Sequence, residues 1–248
     1  MKGKKNKIKY VPGFYGKKSP SAAILVNNYF YEWEQRQLEI KRRKPKAKFP
    51  PTICFSRQIG AGVLETADIL AKKIGYRVID REILEHVAKN KELSEKTAAF
   101  FNEQYTGIIT EYLSWIAGEK AFAKSESTHN LFRAILSFAN LEPSIFVGRG
   151  TYLLLPRERV LAVRFIASDG YRIKRLARIL NIKEKEAADK LNQVDKEQRK
   201  FFKQVYGKKT ITPDEFDMVI NYDYIREPQW AAEIVARAFK EKFGIDKI

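Results

Sequence analysis

The 248-residue sequence has one cysteine, two histidines and no apolar run approaching the ~20 residues that crossing a bilayer takes. Cys54 alone excludes an internal disulfide and a cysteine-built metal site, and His86 and His129 leave little for a histidine-built one, so no metal site made of protein side chains is expected. The N-terminal apolar block AAILV is too short and too far into the chain for a secretory leader. A cytoplasmic protein is expected, with Cys54 a small buried hydrophobe inside the first strand. No Ser/His/Asp grouping is visible, and both histidines read as ordinary helix residues.

What is abundant is positive charge, and its placement is uneven. Residues 1–50 carry 14 of the 47 lysines and arginines against three glutamates, which is +11 of the chain's net +17. The first 18 residues are rich in Lys, with Gly and Pro and little apolar content. Ser19-Pro20 supplies a cap and a first-turn proline for a helix to about Arg43, with Ala22, Val26, Tyr29, Phe30 and Trp33 on one face. That face needs a partner: the main domain, a second copy of the chain, or nucleic acid or an anionic membrane beside the following KRRKPKAK. Pro45, Pro50 and Pro51 mark an extended linker. With 44% hydrophobic residues, the remainder is long enough for one large core.

The chain is organised around Thr52 to Asp80, TICFSRQIGAGVLETADILAKKIGYRVID. It reads as strand, glycine turn, amphipathic helix and second strand. Leu64, Ala67, Leu70, Ala71 and Ile74 share a helix face, and Gly75 is placed to cap its C-terminus. A helix starting just past a glycine turn directs free N–H groups and its positive dipole end into the turn, which favours an anion such as phosphate. The full G-x-x-x-x-G-K-[ST] pattern is incomplete, since Val63 and Leu64 stand at the lysine and hydroxyl positions. On spacing alone, Gly60 and Gly62 serve a phosphate turn or simply a strand-to-helix bend.

Downstream, REILEHVAKN is a short helix with Ile83, Leu84 and Val87 inward, and Lys91–Lys124 is helical and aromatic-rich. Ser127–Asn140 is a further helix leading into the strand SIFVG and then Arg149-Gly150. VLAVRFIA is a buried strand, as a parallel sheet covered on both faces requires, and its one charge, Arg164, belongs near a strand end or in a polar site. Asp169–Leu180 carries Arg172, Arg175 and Arg178 three apart, Lys183–Tyr206 is a charged helix, FDMVIN is the last strand, and Trp230–Phe243 closes the chain. Strands alternating with helices give an α/β fold with a mostly parallel sheet flanked by helices.

SRQIGAG, VIDREIL, IFVGRG, RIKRL, VDKEQRKFFKQVYGKK and FDMVIN, in this order, resemble the cytidylate kinase-like family, in the nucleoside monophosphate kinase branch of P-loop proteins. The resemblance runs from Thr52 to the C-terminus and implies a kinase-like domain over 51–248, with a helical insertion at about 91–140, a lid at about 170–206 and residues 1–50 as a basic extension. It implies ATP and Mg²⁺, and a γ-phosphoryl transfer to a nucleoside monophosphate such as CMP, done by positioning and charge neutralisation. Residue by residue, it assigns Ser56, Gly60, Ala61 and Gly62 to the phosphate turn and Arg57 to the basic position beside it. Asp80 matches an acid that orients metal or acceptor, although a helix N-cap explains it equally. Arg149 matches the arginine on the acceptor phosphate, where a planar guanidinium holds two oxygens at once. Arg172 and Arg175 match the start of the lid, with Arg178 on the same face one turn on.

Two departures bear on activity. Val63 and Leu64 are expected to crowd the phosphate and remove a charge. The lid reads Asp195-Lys196-Glu197-Gln198, with Arg199 one place late and so ~100° around the helix. Two functions therefore stand at this stage: an active nucleoside monophosphate kinase, or a catalytically weak nucleotide-binding or scaffold protein that meets RNA or a protein partner through residues 1–50.

Overall fold

The computed structural model describes residue 31 and residues 50–90 and 125–245. The expected N-terminal helix, apart from Tyr31, and the 91–124 part of the helical insertion lie outside them. Tyr31 is helical and exposed.

Five parallel strands form one sheet in the order β2-β3-β1-β4-β5. They are β1 (Thr52–Arg57), β2 (Arg77–Asp80), β3 (Ser144–Val147), β4 (Val160–Ile166) and β5 (Met218–Asn221). The helices are α1 (Val63–Ile74), α2 (Arg81–Lys89), α3 (Glu126–Leu141), α4 (Asp169–Leu180), α5 (Glu184–Tyr206) and α6 (Pro228–Phe243). The last strand starts at Met218 rather than Phe216, because Pro213–Glu215 forms a 3₁₀ turn that directs Phe216 into the core.

Strand alternation sorts the side chains into two layers. Ile53, Phe55, Ile145, Val147, Leu161, Val163 and Phe165 face α1 and α6, where Leu70, Ala67, Val235 and Phe239 cover them. Cys54, Ile79, Phe146, Val160 and Ala162 face the opposite way, onto Leu84 and Val87 of α2, Ile135 and Phe138 of α3, and Phe202 of α5. Both faces are covered, so the strands are near-continuously apolar, as a parallel sheet demands. A third, smaller cluster joins α4 and α5 through Leu176, Leu180, Ala187, Leu191 and Val194, and Ile59 from the turn after β1 is buried in it. That one side chain, worth roughly 1.5–3 kcal/mol of burial, seats the α4–α5 pair on the turn. No described helix is long and apolar enough to cross a membrane.

Asp217 ties β5 to the sheet. It accepts from the Ala162 N–H at 2.7 Å, from Arg157 at 2.8 Å and from Lys242 at 2.8 Å. Burial alone would raise its carboxyl, but these donors outweigh burial and hold it below the usual carboxylate range. A depressed folded-state value adds stability that is complete above the unfolded carboxyl and is lost as pH falls through the folded one. Asp217→Asn is therefore expected to cost about 2 kcal/mol in urea denaturation at pH 7, shrinking below pH ~4. A penalty independent of pH would contradict this. Cys54 is 1% exposed and its thiol is pushed up to about 12 by burial, so it should stay silent to a thiol reagent in the native state and react once on unfolding.

Candidate functional site

The carboxyl ends of parallel strands are where an open α/β sheet places its ligands. Across the adjacent strands β2, β3, β1 and β4, each delivers an arginine to that edge: Arg81 directly after β2, Arg149 after β3, Arg57 at the end of β1 and Arg164 within β4. Arg57, Arg81 and Arg149 line one cleft, with Glu197, Gln198 and Phe201 of α5 on its other side.

Arg149 is the most constrained of them. Gly148, Arg149 and Gly150 are three successive residues with left-handed backbone, at φ of 91°, 55° and 68°. An arginine in that region costs about 1–2 kcal/mol, which the surroundings must supply. They do so from α5. The Tyr206 hydroxyl donates to the Arg149 carbonyl at 2.5 Å, and the guanidinium lies 4.1 Å from the centre of the Phe201 ring. A Cβ on Gly150 would come within 2.6 Å of the Tyr206 ring, so glycine is required there for a close approach as well as for φ. The Arg149 side chain pairs with Glu85 of α2, while its Nε is buried without a hydrogen-bond partner. Burial, with Arg81 and Arg57 nearby, pushes the Arg149 guanidinium down to about 9 despite an opposing contribution from Tyr206.

Arg164 does point into a polar site: its Nη1 donates to Ser56 Oγ at 2.7 Å, and burial, then Arg57 and Arg172, lower its guanidinium. Ser56, placed in the phosphate turn by its motif, is thus engaged by an arginine of the next strand. Asp80 caps α2, accepting from the Ile83 N–H at 3.0 Å.

The glycine turn has the expected backbone, with Gly60 at φ 87° and Gly62 at φ 95°, and α1 starts at Val63 without a side-chain cap. Its surroundings differ from expectation. Val63 and Leu64 do not crowd it; both are buried in the layer between the sheet and α1, because the core face of α1 begins at its first turn. The turn is covered instead by α4. A Cβ on Gly62 would lie 2.6 Å from Arg175 Nε, and one on Gly60 would lie 3.3 Å from Arg172 Cβ. Arg175 pairs with Glu65 at 2.7 Å. Arg172 donates to the Ile59 carbonyl at 3.0 Å and to Asp195 and Asp169 at 2.9 and 2.6 Å. Burial works against the Arg172 guanidinium, but those two carboxylates outweigh it and raise it. Arg178 does not share their face: three residues is 300° of helix, so each step drifts by ~60° and the third arginine is exposed. Gln198 meets the cleft, donating to the Arg57 carbonyl at 3.2 Å, and Arg199 is exposed.

The structure brings together Arg57 and Arg149 at one end of the site, and the turn (Gly60, Ala61, Gly62) with Arg172 and Arg175 at the other. Sequence reading gave no role to Arg81, Glu85, Glu65, Phe201 or Tyr206, although all but Glu85 stand in the motifs that carry the resemblance, where Glu65 follows the glycine turn as E-x-A.

The family's sequence model for cytidylate kinase-like proteins matches residues 52–224, well over half of the chain. The chain belongs to the cytidylate kinase-like family. No curated protein matches it. Among solved structures, an uncharacterised protein from Eubacterium ventriosum ATCC 27560 aligns with a TM-score of 0.58 at 18% identity, covering 78% of this chain and 99% of that one. A shikimate kinase from Bacteroides thetaiotaomicron aligns at a TM-score of 0.39 and 16% identity, over 78% of this chain and 98% of that one. Membership brings a nucleotide kinase-like function to this cytidylate kinase-like chain, and the first of these structures shares its fold.

The clamp on the GRG turn of this family member can be measured. Gly75 caps α1 at φ 69° with nothing within 4 Å of an added Cβ, whereas Gly150 at φ 68° faces Tyr206. Gly75→Ala should therefore cost about 1 kcal/mol of backbone strain, and Gly150→Ala about 1–3 kcal/mol more, in chemical denaturation. Equal losses would mean that Tyr206 does not press on the turn.

Proposed function

We propose that this chain transfers the γ-phosphoryl group of ATP to a nucleoside monophosphate, with CMP the acceptor that the family's name suggests. The observation that carries the reading is Arg149, held in left-handed backbone between two glycines and presented with Arg57 and Arg81 to one cleft. Phosphoryl transfer asks a protein mainly to position phosphates and neutralise their charge, and a guanidinium row does both.

The residues present fit a phosphate at the turn. Gly62 gives the Arg175 guanidinium the space it fills against the uncapped N-terminus of α1, so an anion that drew Arg175 off Glu65 would meet two positive groups. Glu65 supplies the counter-charge now and would have to yield Arg175. In this reading, Ser56, Gly60, Ala61 and Gly62 hold the donor phosphates, and Arg57, which follows Ser56 but reaches toward Gly148, adds its charge at the Arg149 end. Arg149 holds the acceptor phosphate, and Arg172 and Arg175 carry charge from the 170–206 lid to the phosphate that moves. ATP supplies the activated phosphoryl group and Mg²⁺ its charge screening. The described residues contain no group of three His, Cys, Asp or Glu side chains able to hold a metal, so Mg²⁺ would draw most of its ligands from phosphate and water, with Asp80 able to orient it. The 51–248 unit would act in the cytoplasm.

The second reading, a catalytically weak nucleotide-binding or scaffold protein using residues 1–50 for RNA or a protein partner, draws on Val63, Leu64 and Gln198 and on the Arg175–Glu65 pair over the turn. One experiment separates the two: ATP and Mg²⁺ with a panel of ribo- and deoxynucleoside monophosphates, parent beside Arg149→Ala. Transfer to one acceptor should fall at least about a hundredfold in kcat/KM in the variant. Absence of transfer to every acceptor, in protein that still binds ATP, would leave the second reading.

A further inference from the structure

Glu85 is the acid around which the acceptor end of the site is arranged. It projects from α2 toward the GRG turn, where it pairs with the side chain of Arg149. It also accepts from Arg81 Nε at 2.6 Å and lies 3.7 Å from Lys89 Nζ. Three cations thus converge on one carboxylate, and two of them, Arg81 and Arg149, line the cleft. The pairing is incomplete on the arginine side, because Arg149 Nε stays buried without a partner. Besides Arg81 and Lys89 of α2, the charged or titratable groups described near Arg149 include Arg57 at the end of β1 and Glu197 of α5, which line the cleft with it, and Tyr206 of α5, which donates to its carbonyl.

We propose that Glu85 is an internal counter-anion that sets the charge a ligand must carry to reach Arg149, making this end of the cleft selective for phosphate dianions over monoanions. The proposal rests on the assignment of Arg149 to the acceptor phosphate. A tethered carboxylate stands at an effective concentration of millimolar or higher. A carboxylate from solution offers Arg149 no more than Glu85 already gives. A phosphate monoester brings about two negative charges and three acceptor oxygens, enough to engage the guanidinium and to reach the Nε that Glu85 leaves unused. Displaced, Glu85 keeps Arg81 and Lys89 as partners and is not stranded.

The test uses the full chain and methyl phosphate, which needs neither a base nor ATP, followed by NMR titration of the Arg149 Nε–H signal, assigned by its loss in Arg149→Lys. In the parent, methyl phosphate should bind at pH 7.5 and acetate should not. Affinity should fall about tenfold by pH 5, as the ester takes up the proton of its second ionisation near pH 6. In Glu85→Gln, methyl phosphate should bind about tenfold tighter at pH 7.5, and the loss at pH 5 should shrink to about threefold, since a monoanion no longer competes with a built-in one. Unchanged or weaker binding in Glu85→Gln, or an unaltered pH profile, would overturn the proposal. Should that variant not fold, equal binding of acetate and methyl phosphate by the parent, or binding of neither, would overturn it alone. Dianion binding with the expected Glu85 response, but no transfer in the nucleotide assay, would sink the kinase reading and leave this inference standing.

Discussion

Guanidinium groups gathered at one sheet edge repel one another, and much of the architecture around them answers that repulsion. Arg81, Arg149, Arg57 and Arg164 arrive from adjacent strands, and Arg172 and Arg175 from α4. Asp169 and Asp195 hold Arg172, Glu65 holds Arg175, and Glu85 holds Arg81 and Arg149. Ser56 Oγ accepts from Arg164, and the Phe201 ring faces Arg149 in addition to its carboxylate partner. A half-buried cation is costly unless paired or set against an aromatic face, so each contact lowers the cost of keeping positive charge ready. Under the proposed function, a phosphate would bind by exchanging one anion for another, without uncovering an unpaired charge.

The turn after β1 shows the same economy. Its glycines allow a left-handed path that no larger residue would take without strain. Ile59 fixes it to the α4–α5 core, and the Ile59 carbonyl accepts from Arg172. The glycine turn and α4 are therefore joined by packing and by a hydrogen bond at one residue.

Much of the fold was legible because it is written in local periodicity. Alternating or continuous apolar runs gave β1 and β4, and the Leu64–Leu70–Ala71 face with Gly75 gave α1, each within a residue or two. Of the candidate site, the glycine turn stood out by its spacing and Arg149 by its place between two glycines at a strand end, whereas Arg57, Arg172 and Arg175 were picked out only by the family resemblance. Three things were not legible. Val63 and Leu64 looked like obstructions because spacing marks a motif position but not the direction of a side chain, and here the core claims both. Arg178 was grouped with Arg175 because a three-residue repeat resembles a stripe until its drift is added up. The pairings of Glu65 and Glu85 were invisible because their partners, Arg175 and Arg149, are remote in sequence and are brought near only by the crossovers of the sheet.

Helix α5 has a mechanical consequence. Its N-terminal half, through Ala187, Leu191 and Val194, belongs to the α4–α5 core, while its C-terminal half carries the ring and the hydroxyl that steady Arg149. A continuous 23-residue helix is a stiff rod about 35 Å long, and a rod cannot tilt at one end alone. Any tilt of the rod at the α4–α5 core would swing Phe201 and Tyr206 away from Arg149, so the two ends of the cleft are coupled as the arms of a single lever are.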